Sequence, residues 1–183
     1  MILSSYSKIN LSLLVNSKQK RGFHNIQSYF CLINLKDKIK IKKIDGTSDK
    51  INFTGPFSKL INKKDNSIKS VLVLLRKLKL ISSCYSVVVK KNIPVFAGLG
   101  GGTSNAFTVM KYVLRKKLSK KNLNIIKKKI GSDLELFFYK QGFLKNLGSI
   151  PFLKSSCPEL NLFIFINLLR GINSPKGTNL SLS

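Results

Sequence analysis

The fold is decided by the stretch Pro94-Val-Phe-Ala-Gly-Leu-Gly-Gly-Gly-Thr-Ser-Asn-Ala106, in which four glycines are followed by two hydroxyl residues. An apolar, β-branched run from Tyr85 to Val89 precedes it, and a helical apolar pattern follows it. Strand, glycine loop and helix N-terminus are typical of a phosphate site, because glycines permit close backbone approach and a helix start offers free N–H groups. We predict a helix from Ser104 to about Lys117. Thr103 and Ser104 would cap it or turn a hydroxyl toward phosphate or Mg²⁺.

The simpler interpretation of this loop is a flexible glycine turn with a serine cap and no ligand. Three consecutive glycines weaken a fold locally, so a binding role is favoured. Two common phosphate loops are excluded. No Lys follows as in G-x-x-x-x-G-K-[ST], and Thr103 stands where G-x-G-x-x-G has its third glycine. The sequence therefore indicates a phosphate loop of another type.

The composition predicts one globular domain or slightly more, with 183 residues of which 43% are hydrophobic. A net charge of +26 suggests a nucleic-acid binder. Compositional drift of an AT-rich genome is the favoured alternative, since the lysines are spread along the chain beside a normal apolar pattern. Three distant cysteines (Cys31, Cys84 and Cys157) indicate free thiols, and no signal peptide or span of ~20 apolar residues is present. We therefore expect a cytoplasmic protein.

Periodicity and turn residues predict strands and helices in mixed order. The predicted strands are Tyr6–Val15, Gln27–Leu35, Asp37–Ile44, Lys50–Thr54, Tyr85–Lys91, one within Gln141–Gly148, and Leu160–Asn167. The further predicted helices are Asn66–Leu78 and Ser119–Lys129, the second ending at Gly131 as a C-cap. A short apolar segment, Leu134–Tyr139, follows.

Four polar residues outside the loop are candidates for chemistry. Lys8 and Asn10 lie at i and i+2 of the first strand and point the same way, although an ordinary solvated face explains them equally well. His24 is the only histidine, and a lone histidine is usually a packed or surface residue. Asp133 follows a serine at a helix start, where capping is the common role, yet it is one of only seven acids in the chain.

Together these stretches resemble the GHMP kinases, small-molecule kinases whose phosphate loop is of the type Pro-x-x-x-Gly-Leu-Gly-Ser-Ser-Ala. Ser7-Lys8-Ile9-Asn10-Leu11 is similar to the Ala-Lys-Leu-Asn-Leu of the members acting on cytidine diphosphate-linked methylerythritol. Arg21-Gly22-Phe23-His24, followed by Gln27, is similar to their Asp-Gly-Tyr-His stretch, and Gly131-Ser132-Asp133-Leu134-Glu135-Leu136-Phe137-Phe138 to their Gly-Ala-Asp-Val-Pro-Phe-Phe. The resemblance covers about Tyr6 to Asn167.

The resemblance implies ATP-dependent phosphorylation of the 2-hydroxyl of that substrate, with Mg²⁺, in non-mevalonate isoprenoid precursor synthesis. Lys8 and Asp133 would be the catalytic pair, with Asp133 the general base and Lys8 a compact cation near the transferring group. Asn10, Phe23 and His24 would hold the substrate, Phe23 stacking on cytosine in place of the usual Tyr. The implied ATP-binding residues are Pro94, Val95, Phe96, Ala97, Gly98, Leu99, Gly100, Gly101, Gly102, Thr103 and Ser104.

The implied fold is α+β, a GHMP kinase N-terminal domain (ribosomal protein S5 domain 2-like) at residues 1–150. Residues 151–183 would be only the beginning of a truncated or divergent second α/β domain, with the cleft between the halves. We expect ATP and a small molecule as partners, no membrane or nucleic acid, and a monomer or homodimer. Two alternatives stay open: a non-catalytic basic nucleic-acid-binding protein, since some ribosomal proteins share this topology, and an inactive truncated kinase remnant.

Overall fold

A computed structural model describes residues 1–12, 14–18, 24–62, 65–114 and 118–145 of the chain. Its strands are β1 (Ile2–Asn10), β2 (Leu14–Lys18), β3 (His24–Ile44), β4 (Lys50–Thr54), β5 (Cys84–Lys90) and β6 (Gln141–Lys145). Its helices are α1 (Ser67–Lys77), α2 (Gly101–Leu114) and α3 (Lys120–Ile130), with short 3₁₀ helices at Ser58–Leu60 and Ser132–Phe138. The predicted strand at Leu160–Asn167 and the boundary between residues 150 and 151 lie outside the described residues.

The long strand β3 organises the sheet. It pairs antiparallel with β1 along one edge and with β5 along the other, and β4 pairs parallel with β5, giving the order β1-β3-β5-β4. The beginning of β3 also pairs with β2 and with β6. Helix α1 connects the parallel strands β4 and β5, as a parallel pair requires.

The prediction of two strands in this region, Gln27–Leu35 and Asp37–Ile44, is wrong, because β3 runs through both. Lys36 continues the ladder by pairing with Tyr6, and the register then shifts, because Ser7 pairs with Ile33 and leaves Asn34 and Leu35 as extra residues in β3. The sequence pattern breaks at this register shift, whereas the strand β3 continues through it.

The predicted first strand, Tyr6–Val15, is also corrected by the structure. It begins earlier, at Ile2, and it is interrupted after Asn10. The interruption is held by β3, since the Leu11 N–H donates to the Tyr29 carbonyl and the Ser12 hydroxyl accepts from the Tyr29 N–H. After this interruption β2 pairs with β3 in the same antiparallel direction as β1, so it continues β1 along β3 as a separate strand.

The helix after the glycine loop begins at Gly101 and not at Ser104. The Ser104 N–H donates to the Gly100 carbonyl and closes the first turn, so Thr103 and Ser104 lie inside the helix and do not cap it. The last glycines thus form helix, which frees their N–H groups at its start.

The other helices begin and end as their local sequence predicts. Asn66 caps α1 by accepting from the Lys69 N–H, and Ser119 caps α3 by accepting from the Asn122 N–H. Gly131 ends α3. The apolar stripe of α1 is buried against the sheet and α2; its buried members are Ile68, Val71, Leu72 and Leu75. Within the described ranges, no helix has the length and hydropathy needed to cross a bilayer.

Candidate active site

Lys8 lies between an amide and a carboxylate. Its Nζ atom is 3.1 Å from Asp133 Oδ2 and donates at 3.1 Å to Asn10 Oδ1. Only 6% of the Lys8 side chain is exposed, against 39% of Asp133. Lys8 and Asn10 therefore share one face of β1, as their spacing predicts, and the buried cation leaves one carboxylate accessible from solvent.

The glycine loop packs directly against Lys8 and the segment that carries Asp133. The Lys8 N–H donates to the Leu99 carbonyl at 3.0 Å, which joins β1 to the loop. Gly100 has φ +67°, and a Cβ atom there would lie 3.2 Å from Lys8 Cγ and 3.1 Å from Phe137 Cζ. Only glycine combines this backbone conformation with so close an approach. The loop is thereby held in contact with both the Lys8 side chain and the segment that carries Asp133.

Gly131 allows the segment that carries Asp133 to pack closely against the first turn of α2. A Cβ atom at Gly131, which has φ +148°, would lie 3.2 Å from Thr103 Oγ1. Asp133 follows two residues later, in the 3₁₀ helix whose start has no side-chain cap. Asp133 therefore pairs with Lys8 instead of capping, and residues distant in sequence converge at the N-terminus of α2.

The two hydroxyls of the loop face different surroundings. Ser104 is 1% exposed, and its Oγ donates to the Tyr6 carbonyl at 2.6 Å and lies 2.8 Å from Ser5 Oγ. It ties α2 to β1. Thr103, by contrast, lines a cavity. Of the two predicted phosphate or Mg²⁺ hydroxyls, Thr103 alone faces that space.

The cavity has a volume of about 320 Å³ and lies along the glycine loop. Every residue of the predicted ATP-binding loop except Ser104 lines it, from Pro94 to Thr103. Further lining residues come from β4, the turn after it, the start of α1 and the position directly after β5; these are Phe53, Ile61, Asn66, Ser67, Ile68 and Lys91. The space therefore combines the polar first turn of α2, beside which Ser67 lies, with apolar surface from Phe53 and Ile61.

A buried ion pair supports the entry to the loop. Lys91 is 2% exposed and pairs with Asp37, which is 0% exposed. Asp37 Oδ1 also accepts from the N–H groups of Asn92 and Ile93 at 2.7 and 2.8 Å. Burial lowers the pKa of Lys91, against the opposing effect of its hydrogen bond to Asp37. Sequence analysis did not predict this pair. The one sequence feature that could have indicated it is Asp37 itself, a single acidic residue within the lysine-rich stretch of β3.

Asn105 is a further residue that sequence reasoning did not single out, although it stands inside the opening motif. It is 2% exposed and lines the cavity. Its Oδ1 atom is buried and has no hydrogen-bond partner within the described ranges. A buried acceptor without a donor is costly, so this atom points to a donor that arrives with a ligand.

The substrate-binding predictions are addressed only in part by the structure. Asn10 ends β1 and contacts Lys8, as described above. His24 is the first residue of β3 and pairs with Lys18 of β2. Phe23 lies outside the described residues.

Comparison with known proteins agrees with this geometry. Residues 66–139 match the model of the GHMP kinases N terminal domain. A Pelagibacter ubique protein named 4-diphosphocytidyl-2-C-methyl-D-erythritol kinase is 41% identical over 138 residues, covering 73% of this chain and 48% of that protein. A Francisella tularensis protein of the same name is 33% identical over 166 residues, covering 87% and 59%. The chain thus spans about half the length of the curated relatives it matches.

Solved structures show the same fold. A crystal structure of 4-(cytidine 5'-diphospho)-2C-methyl-D-erythritol kinase superposes with a TM-score of 0.63 at 22% identity, over 84% of this chain and 55% of that one. Mevalonate kinase of Methanococcus jannaschii gives a TM-score of 0.53 at 19% identity, over 85% and 56%. The nucleic-acid-binding alternative is not favoured by these matches. Sequence and fold therefore agree that this chain contains the N-terminal domain of a GHMP kinase.

Proposed function

We propose that this chain is a cytoplasmic kinase that transfers the γ-phosphoryl group of ATP to the 2-hydroxyl of 4-diphosphocytidyl-2-C-methyl-D-erythritol, in non-mevalonate isoprenoid precursor synthesis. The observation that carries the proposal is the contact of the Lys8–Asp133 pair with a glycine loop at a helix N-terminus. The names of the bacterial relatives support the choice of substrate.

The first turn of α2 would bind the phosphates of ATP. Its N–H groups precede the helical hydrogen bonds and coincide with the positive end of the helix dipole. Gly101 and Gly102 line the cavity there without side chains, so phosphate oxygens can reach the backbone. Backbone N–H groups, and not side chains, would therefore bind the phosphates.

Oxygen donors suited to Mg²⁺ lie beside this turn. Mg²⁺ prefers hydroxyl and carboxylate oxygens together with nucleotide phosphates, and Thr103 has the one loop hydroxyl that lines the cavity. Thr103 would hold the ion together with the phosphates. The bound ion would neutralise charge on the transferring phosphoryl group.

Asp133 and Lys8 would carry out the transfer. Asp133 accepts the proton of the substrate 2-hydroxyl as that oxygen bonds to the γ-phosphorus, and the bond from the γ-phosphorus to the bridging oxygen breaks to release ADP. Lys8 stabilises the negative charge that develops between these groups. Asn10 holds the Lys8 ammonium in place through its Oδ1 atom.

The test is substrate-dependent ADP release by the folded 183-residue chain with MgATP. We expect Asp133→Asn to lower turnover by about 100-fold or more, the usual range for a general base. Glu135→Gln is the matched control, since Glu135 lies in the same 3₁₀ helix and pairs with Lys127. It should change turnover by less than about threefold.

Two results would overturn parts of this proposal. Equal losses in both variants would remove the specific role of Asp133. A folded chain that binds ATP but releases no ADP with substrate would overturn the catalytic step while leaving the nucleotide site in place.

A further inference from the structure

Phe96 combines a strained backbone with an exposed ring. Its φ is +63°, in the left-handed region that side chains other than glycine rarely adopt. Its side chain is 86% exposed, more than any other large apolar side chain within the described ranges. An exposed ring gains no burial to offset this strain. Neither local conformation nor core packing therefore explains Phe96.

The comparison with Lys79 makes the same point. Lys79 also has positive φ, at +55°, but it directly follows the C-cap Leu78 of α1, where a left-handed residue commonly ends a helix. Phe96 has no helix to end. Strain without a structural purpose is typical of positions that contact a ligand.

The lining of the cavity next to Phe96 matches the two parts of a nucleotide, with polar groups for the phosphates and apolar surface for the base. Its helix-terminal side is formed by Gly100 to Thr103, where phosphates would bind. Its other lining residues include Phe53, Ile61 and Pro94, which offer apolar surface. Phe96 lines the same space, two residues after Pro94. A ligand with its phosphates at α2 would direct its apolar end toward this side.

Asn105 independently indicates that a ligand belongs in this space. Its buried, unpartnered Oδ1 atom requires a donor, and a base amino group or a ribose hydroxyl supplies one. A free phosphate or triphosphate, being an acceptor, does not. The unpartnered Asn105 Oδ1 atom therefore favours a ligand that contains a nucleoside as well as phosphate.

We propose that the Phe96 ring is a stacking surface for the base of the nucleotide whose phosphates bind the glycine loop. This inference rests on the proposed nucleotide-binding function. Stacking covers the exposed ring and suits any base, because every base has an aromatic face. Removing an aromatic ring that stacks on a base weakens binding by about 10-fold or more.

The chain has no tryptophan, which gives a direct test. Phe96→Trp introduces one tryptophan at the proposed stacking surface, and its emission can be excited apart from that of the five tyrosines. MgATP should quench its emission saturably. Tripolyphosphate with Mg²⁺, which has no base, should bind by calorimetry without quenching. Val73→Trp is the control, because Val73 is 54% exposed on α1 and does not line the cavity.

Phe96→Gly separates stacking from folding. This variant removes the ring and relieves the strained φ, so its unfolding midpoint should equal or exceed that of the parent. Its ATP dissociation constant should rise about 10-fold, while that for tripolyphosphate should not change. A purely structural role would instead lower the midpoint and leave ATP affinity unchanged.

The contradicting outcomes are distinct. Unchanged ATP affinity in Phe96→Gly would show that the ring does not stack on the base. Emission of Phe96→Trp that is already blue-shifted without ATP would show that another part of the chain or a partner covers the ring. The stacking proposal would then fail and the kinase proposal would stand. A folded parent chain that binds neither ATP nor tripolyphosphate would overturn both.

Discussion

Lys8 and Lys91 differ from the other lysines within the described ranges because they are buried. Each has a carboxylate partner, Asp133 and Asp37 respectively. A buried ammonium persists only where it is paired, whereas an exposed lysine costs little. Composition drift accounts for exposed lysines but not for these two, so burial separates Lys8 and Lys91 from the exposed lysines of a chain with net charge +26.

At the residue scale, Lys8→Met should abolish activity without unfolding the protein. Methionine fills similar space without charge, and replacing a buried charge by an apolar side chain is often neutral for stability, because Asp133 can hydrate. Turnover should fall about 100-fold or more, and the urea midpoint should shift little. Lys38→Met, at an exposed position of β3, is the control with unchanged turnover. Normal turnover of Lys8→Met would contradict the proposed role.

Two glycines of the loop also make a matched pair. Gly98 and Gly100 both have positive φ, +71° and +67°, but a Cβ atom at Gly98 meets nothing within 4 Å, whereas at Gly100 it meets Phe137 and Lys8. Gly98→Ala should cost about 1 kcal/mol from backbone strain. Gly100→Ala should cost about 2 to 4 kcal/mol and also lower turnover by displacing Lys8. Urea unfolding checks the difference, and equal costs would contradict the close approach.

At the element scale, β1 and α2 are joined through Ser104. The serine hydroxyl donates to the Tyr6 carbonyl, at the point where the register between β1 and β3 shifts. The start of α2 is therefore positioned by a side chain within the helix as well as by the glycine loop. The first turn of α2 and the strand bearing Lys8 are consequently linked by the Ser104 hydroxyl.

Thr103 and Ser104 should give opposite results when their hydroxyls are removed. Ser104→Ala leaves the hydrogen-bond partners Ser5 and Tyr6 unsatisfied and should cost about 1 to 3 kcal/mol, with ATP affinity retained by the folded fraction. Thr103→Val keeps its volume and should preserve the unfolding midpoint while weakening MgATP binding. Calorimetry and thermal unfolding together separate the two variants. Weakened MgATP binding in both would show that Ser104 also reaches the nucleotide.

At the scale of the whole molecule, the Asp37–Lys91 pair connects the central strand to the site. Asp37 lies on β3, Lys91 follows β5, and a Cβ atom at Gly101 would lie 2.9 Å from Lys91 Nζ. Sheet, loop entry and the first turn of α2 therefore meet at one buried charge pair. We therefore expect this pair to support the first turn of α2.

Removing one partner of this pair should be costly. Asp37→Ala leaves the Lys91 ammonium and two backbone N–H groups unpaired and should lower the free energy of unfolding by about 3 to 5 kcal/mol. Asp37→Leu combined with Lys91→Met should recover part of that loss. Asp45→Ala, at an exposed position, is the control. A loss below about 1 kcal/mol in Asp37→Ala would contradict the proposed support.

The sequence by itself determined the features that depend on a few neighbouring residues. Capping by Asn66 and Ser119, the apolar stripe of α1 and the strand β4 follow from side chains within about one turn of each other. The glycine loop was also recognisable, because its glycines and helix start are contiguous. The Lys8–Asp133 pairing was implied by family resemblance, since periodicity offered Lys8 only a solvated face.

Only the tertiary structure decided how distant segments meet. The pairing of β1 with Lys36 joins two predicted strands into β3, and contact with β1 turns the Ser104 hydroxyl away from the cavity. The burial of Asp37 with Lys91, and the unpartnered Asn105 Oδ1, likewise depend on which faces pack together. Burial and long-range hydrogen bonds are properties of the assembled core, so a local sequence pattern does not contain them.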